Sequence, residues 1–181
     1  MTRRVISACA ESELPELVDL VNAAYRGQGG ESGWTSEVGL VDGMRVTIDA
    51  LRHEIATTPG LTIYLLREAQ ELLACVRLEG GRGIQGEPAC YISMLAVHPA
   101  QQDGGLGRQM LEYAEAQGRV RGARVARMTV VSIRSGLIAW YERRGYRRTG
   151  ETLPFPYDDA RFGTPKRHDL EFVMLQRALV P

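Results

Sequence analysis

The chain has 181 residues, of which 44% are hydrophobic and 24% charged, with 22 basic side chains against 22 acidic ones. That size suits a single domain spanning 1–181 with a buried core, and a formal charge of zero excludes the broad basic field that would draw in nucleic acid or an anionic membrane. The three cysteines, Cys9, Cys75 and Cys90, lie far apart without C-x-x-C spacing, and no run approaches the roughly 18 apolar residues of a membrane span, so a cytoplasmic protein with buried thiols is expected.

A short strand over Val5 to Cys9 opens the chain. Ser12 is placed to cap a helix whose apolar positions Leu14, Leu17, Val18, Val21 and Tyr25 recur at helical spacing, with a stop near Gly27. A loop of about twenty residues follows, rich in Gly, Ser and acid and therefore of functional interest. Thr47 then caps a second helix through roughly Thr57. The run from Leu61 reads as a hairpin turning at Glu68 to Gln70. Ala89 to Val97 is a strand apolar on both faces, hence central in a sheet. Leu106, Met110, Leu111, Ala114 and Gly118 form a helical stripe that ends near Gly122. A strand over 124–133, a short helix from Ser135 to Arg144 and further extended chain complete the order βααβββαβαββ, which predicts an α/β (α+β) fold with a mixed sheet covered by helices.

The segment joining the central strand to the third helix is "HPAQQDGGLGRQ", with glycines at 104, 105 and 107. Such a turn leaves backbone N–H groups unpaired at the positive end of a helix dipole, which makes an anion site. A phosphate-binding loop of the G-x-x-x-x-G-K-[ST] type is excluded because no Lys-Ser or Lys-Thr follows. A dinucleotide fingerprint fails as well: its third glycine position is Met110, and Arg127 stands about where an acid would bind ribose.

Gln102, Gly105 and Gly107 match Q-x-x-G-x-G, and Val97 and Pro99 match the V-x-P that precedes it. Here the chain resembles the GNAT superfamily of N-acetyltransferases. A second resemblance lies in "SGLIAWYERRGY", where Tyr141, Gly145 and Tyr146 match the family's closing helix and Gly-aromatic pair; Arg134 replaces the Asn that many members carry seven residues before the Tyr. The resemblance implies a sheet of about seven strands flanked by about four helices. It also implies a splay between the parallel strands Ala89 to Val97 and Arg127 to Ile133, and acetyl-CoA as co-substrate without a metal.

By the same resemblance, the backbone of Leu95, Ala96 and Val97 binds pantetheine and the acetyl carbonyl, and the segment Gln102, Asp103, Gly104, Gly105, Leu106, Gly107, Arg108 cradles the diphosphate. Tyr141 is the expected proton donor to the departing thiolate. Its phenol, with an ordinary pKa of about 10, is protonated at neutral pH. Many relatives place a Glu on the strand entering V-x-P, but Tyr91 and Ser93 occupy those positions here. Glu79, at the end of the neighbouring strand, is then the leading candidate for the base, with Glu31, Glu37 or a water relayed through Tyr91 or Ser93 as alternatives. Trp34, Tyr91, Ser93 and Phe155 are candidates to line a pocket for a small amine. The scattered His53, His98 and His168 suggest no covalent route, and exposed terminal strands in this architecture suit a homodimer.

Overall fold

The computed structural model describes residues 3–27 and 35–179. In chain order the elements are β1 (Arg4–Ala8), α1 (Leu14–Arg26), β2 (Val41–Asp42), α2 (Ile48–Thr57), β3 (Thr62–Glu68), β4 (Glu71–Arg82) and β5 (Pro88–Val97). They continue as α3 (Leu106–Val120), β6 (Val125–Val131), α4 (Ser135–Glu142), β7 (Arg147–Pro154), β8 (Thr164–Pro165) and β9 (Glu171–Ala178). Seven strands form one sheet in the order β1-β3-β4-β5-β6-β9-β7. Every neighbouring pair is antiparallel except β5 and β6.

Alternation along the strands divides the core into two layers. On one face α1 and α2 bury Leu17, Val21 and Leu51 against Ile63, Leu65, Cys75 and Ala96. On the other, α3 and α4 bury Met110, Leu111, Ile138 and Tyr141 against Val76, Ile92, Leu95 and Met128. Apolar burial on both faces is why β5 is central. α3 comes so close to β5 that a Cβ added at Gly118 would sit 2.5 Å from Cys90 Sγ.

Local chemistry departs from expectation at two points. Ser12 caps nothing: it lies in a 3-10 turn over Glu11–Glu13, and α1 begins at Leu14 with proline in its first turn. That proline needs no N–H partner there, so the hydroxyl is not required. Thr47, by contrast, caps α2 by accepting the Ala50 N–H at 3.2 Å. β4 also runs on to Arg82, which puts Glu79 inside a paired strand and not at its end.

The loop after α1 and the loop before β9 are joined to each other. β2 pairs with β8, and the Lys166 N–H reaches Leu40 O at 2.9 Å. The last residue of α1 seals the junction. Arg26 pairs with Glu37 at 2.7 Å, with side chains 4% and 13% exposed, and donates to Phe162 O at 3.1 Å.

Candidate active site

The parallel strands β5 and β6 are paired only at Ala89/Val125, Cys90/Ala126 and Tyr91/Arg127. Beyond Tyr91 both strands continue without pairing to each other. The fork is closed at its root by a hydrogen bond between Tyr91 Oη and Thr129 Oγ1 at 2.5 Å. Burial pushes the Tyr91 phenol above its ordinary pKa. A gap of this kind exposes the edges of two strands inside one sheet, where an extended polar chain can take up the unused backbone groups.

The free part of β5 is shaped by a bulge. Cys75 faces Ala96 and Arg77 faces Ser93, so Val76 is opposed by both Met94 and Leu95. Met94 has φ +49°, a conformation that costs a non-glycine residue on the order of 1 kcal/mol or more. Two side chains hold it: Tyr25 Oη donates to Leu95 O at 3.0 Å and Cys75 Sγ to Met94 O at 3.5 Å. Burial pushes the Tyr25 phenol up to about 12.

At the mouth of the fork the chain turns through a 3-10 segment, Pro99–Gly104, which includes Gln102 and Asp103. The Gln102 side-chain amide donates to Val97 O at 3.2 Å, tying the turn to the strand it leaves. Gly105 then adopts φ +71°, which glycine tolerates without a Cβ penalty, and as the N-cap of α3 it brings no side-chain cap of its own. The first helical bond runs from the Gln109 N–H to Gly105 O at 3.1 Å. Among the described residues nothing accepts from the amides of Leu106, Gly107 and Arg108. These are the donors a diphosphate requires, at the positive end of the dipole.

Tyr141 projects from α4 into the same region. It is 7% exposed and makes edge contacts with Trp140 and Tyr146 at 5.0 and 5.8 Å. Burial, followed by the nearby Tyr25, pushes its phenol well above the ordinary range. No described residue hydrogen-bonds its hydroxyl.

On the α1/α2 face the polar residues form a row. Glu79 sits opposite Tyr91 and pairs with Arg77 at 2.9 Å, and Arg77 also binds Glu54. Ser93 faces Arg77 across the strands. Phe155 is only 6% exposed, stacked on Phe172 at 5.4 Å and packed with Val41, Val131 and Leu170. It joins the two loops and does not stand free as a pocket wall. Trp34 and Glu31 lie outside the described residues. Among those described, no group of three or more His, Cys, Asp or Glu is placed to hold a metal ion, and no helix is long and apolar enough to cross a membrane.

The family model for the acetyltransferase (GNAT) family matches residues 33–146. The chain belongs to that family. This acetyltransferase, an acetyl-CoA-dependent enzyme by that membership, is 25% identical over 162 residues to an uncharacterized N-acetyltransferase of Lactobacillus delbrueckii subsp. lactis, covering 88% of this chain and 93% of the other. Its fold is that of a GNAT family acetyltransferase from Elizabethkingia anophelis solved with acetyl-CoA bound, with TM-score 0.67, 15% identity and 97% of each chain covered. It also matches the ribosomal-protein-S18-alanine N-acetyltransferase of Escherichia coli, with TM-score 0.65, 13% identity, and 99% and 96% covered.

Sequence reasoning missed three contributors to the site. Tyr25 was legible only as the last apolar position of α1, and Thr129 only as a strand residue. Arg26 carried no signal at all.

Proposed function

We propose that this acetyltransferase moves the acetyl group of acetyl-CoA to a primary amine of a small molecule by direct transfer within a ternary complex. The observation that carries the reading is the fork between β5 and β6, which opens beside the uncapped start of α3. The amides of Leu106, Gly107 and Arg108, with the turn from Gln102, hold the diphosphate. The free edge of β5 at Leu95, Ala96 and Val97 holds the pantetheine arm. Bound there, acetyl-CoA supplies an activated acyl carbon.

The residues of the chain then orient and protonate. A backbone donor in the bulged segment after Met94 faces charge growing on the acyl oxygen, and a preorganised donor of this kind is worth roughly 3 kcal/mol. As the C–N bond forms and the C–S bond breaks, Tyr141 gives its proton to the departing sulfur. Its raised pKa keeps that proton in place at neutral pH. Glu79, paired with Arg77, draws the ammonium form of the acceptor onto the face of Tyr91 and Ser93 and receives its proton.

Direct transfer is supported by the state of the thiols. Burial pushes Cys9 and Cys90 up to about 11 and Cys75 up to about 12, so none is a thiolate ready to form an acyl-enzyme. A small acceptor is supported by the joined loops, which Arg26, Glu37 and the β2/β8 pair hold together beside the acceptor face.

Release of free thiol from acetyl-CoA, followed across small amines, amino acids and peptides, tests the reading. A small primary amine is expected to give a kcat/KM at least about tenfold above any peptide. Preference for a peptide amino terminus would overturn the acceptor class, and no transfer to any amine would make the protein a non-catalytic acyl-CoA binder.

A further inference from the structure

Tyr141 stands in the last turn of α4, a helix of only eight residues. So short a helix does not orient a side chain by itself, and its geometry comes from what it packs against. With no described residue bonded to its hydroxyl, the Tyr141 ring is aimed by its neighbours. Trp140 is half-buried, whereas Tyr146 is 1% exposed and meets the Tyr141 ring edge-on at 5.8 Å and 71°.

Tyr146 is fixed at both ends. Its backbone N–H donates to Tyr141 O at 3.2 Å, and its hydroxyl donates to Glu115 Oε1 at 2.9 Å. Glu115 is buried in the middle of α3, and Arg177 of β9 donates to both of its carboxyl oxygens, at 3.0 and 2.8 Å. Three parts of the core therefore converge on one buried carboxyl: α3, β9 and the turn that leaves α4.

Stability alone does not account for this arrangement. A carboxyl taken out of water is costly even when its oxygens are filled, and apolar side chains of similar volume hold elements together as well or better. Directional bonds supply what apolar contact does not, a fixed angle and depth for the group they hold. The group held here is the ring that abuts Tyr141.

We propose that Glu115 and Tyr146 are positioning residues for acetyl transfer. Glu115, held by Arg177, locks the Tyr146 ring, and that ring sets the Tyr141 hydroxyl toward the departing sulfur. Neither residue touches the reacting atoms or exchanges a proton; the proton that reaches sulfur as the C–S bond breaks is the one on Tyr141. The inference rests on the reading of Tyr141 as proton donor. It goes further by tying that side chain to α3, the helix whose first amides receive the diphosphate in the same reading, so that thioester and proton source keep one spacing.

A double-mutant cycle in steady-state turnover tests this, with wild type, Tyr146→Phe, Tyr141→Phe and Tyr141→Phe/Tyr146→Phe. The donor is acetyl-CoA, the acceptor is the most active amine of the panel above, and each protein is assayed well below its unfolding midpoint. Tyr146→Phe keeps the ring and removes only the hydroxyl; kcat is expected to fall about tenfold while KM for acetyl-CoA stays within about twofold. In the Tyr141→Phe background the same substitution is expected to change kcat by less than about twofold, because no hydroxyl is left to aim. Glu115→Gln keeps an oxygen that accepts from Tyr146 and should hold kcat within about threefold of wild type, whereas Glu115→Leu should lose as much as Tyr146→Phe. If Glu115→Leu fails to fold, the cycle on Tyr146 still decides.

A tenfold loss that recurs in the Tyr141→Phe background would show that Tyr146 acts on the fold as a whole and would overturn the proposal, leaving Tyr141 as donor. Wild-type kcat in Tyr146→Phe would overturn it equally. Wild-type turnover in Tyr141→Phe, or no transfer to any amine, would remove the proton donor itself and the inference with it.

Discussion

Tyr91, the last paired residue of β5, shares a hydrogen bond at 2.5 Å with Thr129, two residues past the last paired residue of β6, at the root of the fork. It marks where sheet pairing ends and the gap between the two strands begins. Tyr91→Phe is expected to lower stability by about 1 kcal/mol, the net worth of one hydrogen bond. In urea unfolding the midpoint should fall with the slope unchanged. A midpoint equal to the wild type would show that the bond contributes nothing to closing the fork.

The bulge that shapes the open half of β5 is strained at Met94 and fastened by Tyr25. Tyr25→Phe is expected to lower kcat about tenfold, with CoA affinity changed less than about twofold, because the variant loosens the backbone donor proposed for the acyl oxygen and leaves the proposed diphosphate cradle alone. A second signature is pH-dependent. The folded phenol titrates at about 12, above its unfolded value of about 10. The associated stability is therefore complete below about pH 10 and lost as the pH rises toward 12. Across that window the wild type should lose more stability than Tyr25→Phe, as read by denaturant unfolding at each pH. Parallel losses would contradict the assignment.

Tyr141→Phe removes the hydroxyl proposed as the proton donor to the leaving sulfur. kcat should fall about a hundredfold or more while the acetyl-CoA dissociation constant stays within about threefold. Since burial raises this phenol, the wild-type rate should rise with pH as the amine deprotonates and show no decline attributable to Tyr141 below about pH 10. Equal turnover in the variant at several pH values would remove the role.

Gly118 lets α3 lie directly on β5. In Gly118→Ala the new methyl would meet Cys90 Sγ at 2.5 Å and Cys90 Cβ at 3.2 Å. The helix propensity gained, about 1 kcal/mol, is offset by overpacking of about 1 to 3 kcal/mol. Net destabilisation is expected, and Gly118→Ala/Cys90→Ala should recover much of it. Stabilisation by the single substitution would show that the two elements can move apart freely.

The geometry of the turn proposed to hold the donor was legible because its determinants are local. An αL glycine, a glutamine tied back to the preceding strand and an uncapped helix start all lie within Val97 to Arg108 and are set by residue type. The central placement of β5 followed from apolar residues on both faces. The acceptor side depends on pairs far apart in the chain. Arg26 with Phe162, Tyr25 with Leu95 and Glu54 with Arg77 are invisible to spacing and periodicity. The insertion of β9 between β6 and β7 was likewise unreadable from element order, because a sheet permits several strand orders for one chain order. Phe155 reads as a loop aromatic, yet the β2/β8 pairing beside it converts that loop into a small core.

The most direct measurement of the central claim is the change in backbone amide resonances on addition of acetyl-CoA. Large, saturable shifts are predicted for Leu106, Gly107 and Arg108 together with Leu95, Ala96 and Val97, accompanied by small changes on β1 and β3. Saturable binding that left those six amides unmoved and perturbed another surface would contradict the account.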